Sequence, residues 1–329
     1  MVVGSVSKEK SNLVRGWAIL AVVLIHVLAY FPGIFDKSNY QWVMVALDQT
    51  ARFCVPAFLI ISGYGLSMKY DDEDVPWWKF VVDRSKKLLP SYLLWSMAAM
   101  LLMWMVPEWV YYNRPESIWT QLFFGQADYQ MYFMPLILQF YILFPLIWRG
   151  RKKINLWLMA ALVIQLLAYS WFGKTEGSSE RFEYVISLSW IFYFVLGIWL
   201  AKIKLKVKFE IPLLVLCVLV WGWVISGSVG GINRGINPLL ALKFTRIPAM
   251  VYGTIATLTL MYFGKQKDFG GFGKWIGWLG EKSYLIFLAH TMGLRLIYGV
   301  VVGVPSLPIL GVALIVWLLI IFVSVKITG

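Results

Sequence analysis

The sequence predicts an all-α membrane protein, one bundle of about ten transmembrane helices with its N-terminus and C-terminus cytosolic. Three observations lead there. Of 329 residues, 60% are hydrophobic and 14% charged, and mean hydropathy is +0.71, whereas soluble domains run near half apolar and a quarter charged. The apolar residues fall in runs of about 17–25, the length that crosses a hydrocarbon core about 30 Å thick. Lys and Arg gather between alternate runs, as positive cytosolic loops require. Unpaired backbone groups in lipid cost several kcal/mol each, so such runs are helices or closed barrels. Continuous runs without strict alternation exclude the barrel.

In chain order, spans are expected near 12–31, 43–68, 88–106, 129–148, 154–172, 185–201, 210–226, 247–264, 282–302 and 309–327. The first has Lys8 and Lys10 as a basic flank. No small-x-small cleavage site follows, so it reads as a retained helix and not a signal peptide. Between the second and third spans, Pro76-Trp77-Trp78-Lys79-Phe80 through Lys87 mixes aromatic and basic residues, the pattern of an interfacial helix on the cytosolic face. The outer loops near 107–127 and 227–246 are long enough to line a site. The first is rich in Trp and Tyr, as suits a membrane–water boundary. With the N-terminus inside, the inner segments hold 21 of the 30 Lys and Arg, which sets both ends in the cytosol. There is no soluble module, low-complexity tract or internal repeat, and residues 1–329 read as one integral-membrane domain. The location implied is the inner or plasma membrane, crossed many times.

The net charge of +13 follows membrane topology. No zinc-finger spacing, RNA-binding aromatic motif or basic arm points to nucleic acid. Cys54 and Cys217 both lie inside apolar spans and read as small buried hydrophobes.

Ionisable groups within spans are costly and usually face a cavity or a partner. The two histidines of the chain, His26 and His290, both lie inside spans. His26 is eleven residues beyond Arg15, about 16 Å along a helix, and eleven steps of about 100° return to nearly the same face. Arg15 and His26 therefore share one stripe, with His26 near mid-depth. His290 is also near mid-depth, with Ser283 seven residues earlier on its face. Asp48 and Arg52 stand four apart, the spacing of an intrahelical ion pair, which suits a structural lock and a site equally. Pro56, Ser62, Gly63, Tyr64 and Gly65 follow; the fourth span adds Tyr132, Gln139 and Tyr141. These positions converge if their helices do. Ser62 and Ser283 also suit helix packing, Gly63 and Gly65 close approach, and the tyrosines ordinary packing. The basic run Arg84, Lys86 and Lys87 is a topology signal with phosphate binding as a second reading.

Other chemistries fit poorly. There is no Gly-x-Ser-x-Gly elbow, and Gly273-Lys274 is followed by Trp275, where a phosphate loop needs Ser or Thr. Two histidines without a nearby cysteine or a His-x-x-x-His pattern do not make a zinc site, and no metal is expected. Imidazole acid–base chemistry remains.

These residues resemble the acyltransferase-3 family of integral-membrane O-acyltransferases. The match starts with Arg15 and His26, ten residues between them. It continues through Arg52-Phe53-Cys54-Val55-Pro56-Ala57-Phe58-Leu59-Ile60-Ile61-Ser62-Gly63-Tyr64 and Arg84-Ser85-Lys86-Lys87-Leu88-Leu89-Pro90-Ser91-Tyr92. Tyr132-Phe133-Met134-Pro135 through Pro145, Phe194-Val195-Leu196-Gly197 and Leu279-Gly280-Glu281-Lys282-Ser283-Tyr284 through His290 complete six blocks in order. The resemblance implies ten core helices and transfer of an acyl group, usually acetyl, to a hydroxyl of a polysaccharide, peptidoglycan, lipid-linked sugar or small glycosylated molecule. Acyl-CoA, most simply acetyl-CoA, is the implied donor substrate, with no cofactor bound permanently. By position, Arg15 and His26 form the catalytic pair, with His26 as general base or as carrier of a transient acyl group, and His290 assists. Arg52, Ser62, Tyr64, Tyr132, Gln139 and Ser283 would bind substrate, and Arg84, Lys86 and Lys87 acyl-CoA. Lys87 stands where the family's Arg-x-x-Arg element has its second arginine; it keeps the charge and loses the bidentate fork. The chain resembles the standalone form, with no appended periplasmic domain, so transfer would go directly to the acceptor. Expected partners are acyl-CoA, a carbohydrate or glycolipid acceptor, membrane lipids and, as an assembly option, a second copy in a homodimer. The alternatives are a carrier or flippase for a polysaccharide or lipid-linked sugar, which a mid-depth polar chamber also suits, and a membrane sensor or scaffold.

Overall fold

The computed structural model describes residues 8–29, 41–71, 73–106, 117–172, 178–203, 210–266, 270–302 and 315. Among them the regular structure is entirely helical. In chain order the helices are α1 (Lys8–Leu28), α2 (Gln41–Ala51), α3 (Cys54–Tyr70), α4 (Trp77–Met105), α5 (Ile118–Phe123), α6 (Phe133–Arg149) and α7 (Ile154–Phe172). Then come α8 (Ser178–Val185), α9 (Ile191–Ile203), α10 (Glu210–Asn233), α11 (Pro238–Ala241), α12 (Ile247–Gln266), α13 (Gly270–Glu281) and α14 (Ser283–Val302). Six segments are long and apolar enough to cross a membrane: Lys8–Leu28, Gln41–Tyr70, Trp77–Met105, Arg151–Phe172, Ile211–Asn233 and Ser283–Val300. Three further apolar helices, Phe133–Arg149, Ile191–Ile203 and Ile247–Phe263, are shorter. The first nine expected spans fall on these nine segments; of the tenth, 309–327, residue 315 alone is among the described residues. Side chains on the outer faces are apolar: Trp171 is 78% exposed and Ile211 75%. Such faces are stable against lipid and not against water. The protein is a multi-pass membrane protein.

Two compact units are interleaved along the chain. The first comprises Met1–Asp74, Ile147–Glu176 and Leu188–Ser283; the second comprises Val75–Leu146, Gly177–Ser187 and Tyr284–Gly329. In the first unit α1 packs against α2, α3, α12 and α13. Its contact with α13 depends on glycine, because a Cβ on Gly16 would overlap the Ile276 carbonyl and one on Gly280 the Asn12 carbonyl. Trp17 closes the same face against Phe272, with ring centroids 5.9 Å apart. α3 and α9 meet in the same way, through Gly63 under the Phe194 carbonyl and Gly197 under the Ile60 carbonyl. Between apolar helices in lipid, backbone approach at small residues supplies the packing energy. Gly65 differs from the expectation of a packing role: it is exposed and a Cβ there meets nothing within 4 Å. Gly16→Ala and Gly280→Ala should each cost at least about 1–3 kcal/mol by overpacking, read as an earlier melting transition in detergent. Gly65→Ala should stabilise by about 0.5–1 kcal/mol through helix propensity.

Three boundaries differ from the sequence reading. The second expected span is two helices, broken at Arg52 and Phe53. Pro56 explains the break, since its ring clashes with the carbonyl four residues earlier, that of Arg52. Second, the expected interfacial helix at 76–87 is continuous with the third span: α4 runs from Trp77 through Pro90 to Met105. At about 43 Å it exceeds a hydrocarbon core, so its first turns extend beyond that thickness. Tyr284 donates its hydroxyl to the Leu88 carbonyl at 2.9 Å, steadying the turn that Pro90 weakens. Third, α10 continues to Asn233, which shortens the expected 227–246 loop and leaves α11 within it.

Candidate functional site

The residues singled out from sequence divide between the units. Arg15, His26, Arg52, Ser62, Tyr64 and Ser283 belong to the first; Arg84, Lys86, Lys87, Tyr132, Gln139 and His290 belong to the second.

In the first unit α1 is unbroken from Lys8 to Leu28, so Arg15 and His26 lie along one face, about 16 Å apart along the axis. Both are half-buried. α1 closes three residues before the expected boundary, which puts His26 in its last turn, an end where the helix dipole favours positive charge. At the break after α2 the expected ion pair forms. Arg52 donates Nε to Asp48 Oδ2 at 2.9 Å and Nη2 to Oδ1 at 2.8 Å, a bidentate fork. The guanidinium also covers the Phe244 ring, 4.4 Å from its centroid, and Phe244 packs on Trp190.

The pair is the centre of a network that spacing in the sequence does not reveal. Gln49 donates Nε2 to Asp48 at 2.8 Å and accepts from Arg246 Nη2 at 2.9 Å. The same Arg246 nitrogen donates to Ser228 Oγ at 2.9 Å, joining α2, α10 and the segment before α12. Tyr252 donates its hydroxyl to the Thr50 carbonyl at 2.9 Å, meeting a backbone acceptor beside the break. Irregular backbone at membrane depth is tolerated where protein groups satisfy it in this way. Arg52 keeps 14% of its side chain exposed against 4% for Asp48. Ser62 is half-buried and Tyr64 buried on α3; Ser283 is buried at the start of α14.

In the second unit Arg84 lies over the rings of Phe80 and Tyr141, at 5.5 and 5.7 Å. This stacking holds it half-buried, while Lys86 and Lys87 are exposed. Arg84 and Lys87 are three apart and share a face of α4; Lys86 points elsewhere. Tyr132 packs on Tyr184, centroids 5.6 Å apart. The Gln139 amide is committed to backbone: Nε2 donates to Pro135 O and Val185 O, and Oε1 accepts from Ser187 N. His290 is buried on α14, with Nδ1 at 3.0 Å from the Ile286 carbonyl and 2.8 Å from that of Phe287. Carbonyls only accept, so Nδ1 carries the hydrogen and Nε2 of the neutral ring bears the lone pair.

Beside His290 lies a second polar group that the sequence reading missed. Arg295 on α14 forks onto Asp128, Nη1 to Oδ2 at 2.5 Å and Nη2 to Oδ1 at 2.6 Å. Asp128 also accepts from Thr291 Oγ1 and the Tyr129 amide, and Arg295 lies over the Tyr129 ring. Burial pushes the Asp128 carboxyl up, but the Arg295 charge and these hydrogen bonds outweigh it and hold the group below its ordinary 3.8. An arginine in the ninth expected span was the available signal, because an ionisable group there implies a partner. Its partner, 167 residues away, was not.

The family model for an acyltransferase domain, that of the acyltransferase-3 family, matches residues 9–327. The chain belongs to that family. No curated protein and no solved structure matches it. In this acyltransferase-3 protein, three glycines of the family blocks have packing reasons: Gly63 meets α9, Gly197 meets α3, and Gly280 meets α1, the helix of Arg15 and His26. Among the described residues no group of His, Cys, Asp and Glu could hold a metal ion.

Proposed function

We propose that this protein is a membrane O-acyltransferase that moves an acyl group, most simply acetyl, from cytosolic acyl-CoA to a carbohydrate hydroxyl. Family membership over residues 9–327 carries the reading, and the Arg15–His26 stripe on one continuous helix supports it. His26 takes the proton of the acceptor hydroxyl as its oxygen attacks the thioester carbonyl. The tetrahedral oxyanion collapses, the C–S bond breaks, and His26 returns the proton to the departing CoA thiolate. Arg15 orients the donor, and Arg52 or His290 steadies the acceptor or the oxyanion. Arg84, Lys86 and Lys87 meet the phosphates of the coenzyme through charge-assisted contacts.

In this reading both ends of the chain are cytosolic, the donor enters from the cytosol, and the acceptor is modified at the outer face. Oriented vesicles with acetyl-CoA on one side and a soluble sugar on the other should form product. Product formed only when both substrates share the cytosolic compartment would refute the cross-membrane arrangement. Neutralising Arg84, Lys86 and Lys87 together should raise the acyl-CoA KM by about tenfold or more, with acceptor KM little changed. An inserted triple variant with wild-type donor KM would remove these three residues from the donor site.

The break between α2 and α3 favours a second reading, a carrier for polysaccharide or lipid-linked sugar, since discontinuous helices mark transporter sites. Thiol release from acetyl-CoA by purified protein separates the two: an enzyme releases it in the presence of acceptor and a carrier does not.

A further inference from the structure

A buried amide acceptor lies one residue along α14 from His290, through its bond to Thr291. Gln130 is 2% exposed. Its Nε2 donates to Thr291 Oγ1 at 2.7 Å, while its Oε1 has no hydrogen-bond partner among the described residues. A buried acceptor left unmet costs its full desolvation penalty, and each such group in a folded protein calls for an explanation. The surroundings identify what would meet it. Thr291 follows His290 directly on α14 and passes its own hydrogen to Asp128. Asp128 and Arg295 are bound to each other through two hydrogen bonds, so this pair offers mutually neutralised charge. Phe133 packs on Phe287 and Phe287 on His290, with centroids 5.6 and 6.0 Å apart, which adds ring surface at the same turn of α14.

We propose that Gln130, held by Thr291 and the Asp128–Arg295 pair, is a subsite for a hydroxyl of a neutral polyol or sugar beside His290. The sugar O–H donates to Gln130 Oε1. Paired charges and aromatic rings suit a hydroxyl-bearing ligand better than an anion, which would bring an uncompensated charge into a buried place. The inference rests on the acyl-transfer reading for the class of acceptor and adds a residue that would hold one of its hydroxyls.

The test uses purified full-length protein in detergent and titrates glucose, galactose, N-acetylglucosamine and glycerol separately, reading the shift of the melting transition. Wild type should be stabilised by at least one of them, and Gln130→Met should weaken that apparent affinity about tenfold. The unliganded melting temperature of the variant should stay near that of wild type, because removing the unmet Oε1 acceptor offsets the loss of the Nε2 bond to Thr291. If Gln130→Met fails to fold, Gln130→Leu carries the same comparison. Equal sugar affinity in wild type and variant, or no stabilisation of wild type by any of the four, overturns the subsite. Thiol release from acetyl-CoA is followed separately. Gln130-dependent sugar binding without thiol release would sustain the subsite while refuting acyl transfer; thiol release with Gln130-independent binding would do the reverse.

Discussion

His26→Ala should lower acyl transfer by about 10²–10⁴-fold, the usual loss when general-base help is removed. Expression and acyl-CoA binding should stay near wild type, because the half-buried ring lies in the last turn of α1, away from the Gly16 and Gly280 contacts that seat this helix. The loss belongs to kcat, since the proton moves only as the acceptor oxygen attacks. His290→Ala should cost less, its place being assistance and not proton abstraction. The measurement is steady-state release of CoA thiol with a sugar acceptor, alongside equilibrium binding of acetyl-CoA. Wild-type turnover in His26→Ala would remove this residue from the mechanism.

Arg295→Met or Asp128→Leu alone should destabilise the second unit by about 3–5 kcal/mol, because each leaves one buried charge without its counter-ion. The combined Asp128→Leu/Arg295→Met variant should recover most of that loss, since apolar groups of similar volume replace a buried pair at little net cost. Melting in detergent across the double-mutant cycle measures the coupling. Additive losses would show that the pair does not stabilise as a unit. Acid should expose the same interaction. The folded Asp128 carboxyl lies below its ordinary 3.8, so its contribution is complete above that value and declines as pH falls through the folded value. The acid-labile component should therefore appear below about pH 4 and be absent from the combined variant. An unchanged acid limb in that variant would assign the lability to other carboxylates.

Much of the architecture follows from local pattern. Nine apolar stretches become helices because lipid leaves an apolar chain few other ways to satisfy its backbone. The Asp48–Arg52 pair forms because four residues make one helical turn. Boundaries were less legible where two signals overlap. The aromatic and basic stretch at 77–87 looks interfacial by composition, yet its helix propagates through Pro90 into the next span with help from Tyr284, 196 residues from the Leu88 carbonyl it meets. Gly63 and Gly65 look alike in sequence; α9 approaches only Gly63.

By itself the sequence determined the helical membrane class, the family blocks and the Arg15–His26 stripe, because each depends on residues within one or a few turns. Only the tertiary structure decided that Asp128 answers Arg295, that Arg246 reaches Gln49, and that α13 seats α1. Those links join residues 167 and 197 positions apart, or depend on a backbone carbonyl meeting a glycine across a helix interface. A period of 3.6 residues says which face a side chain shares, and only packing says what stands opposite that face.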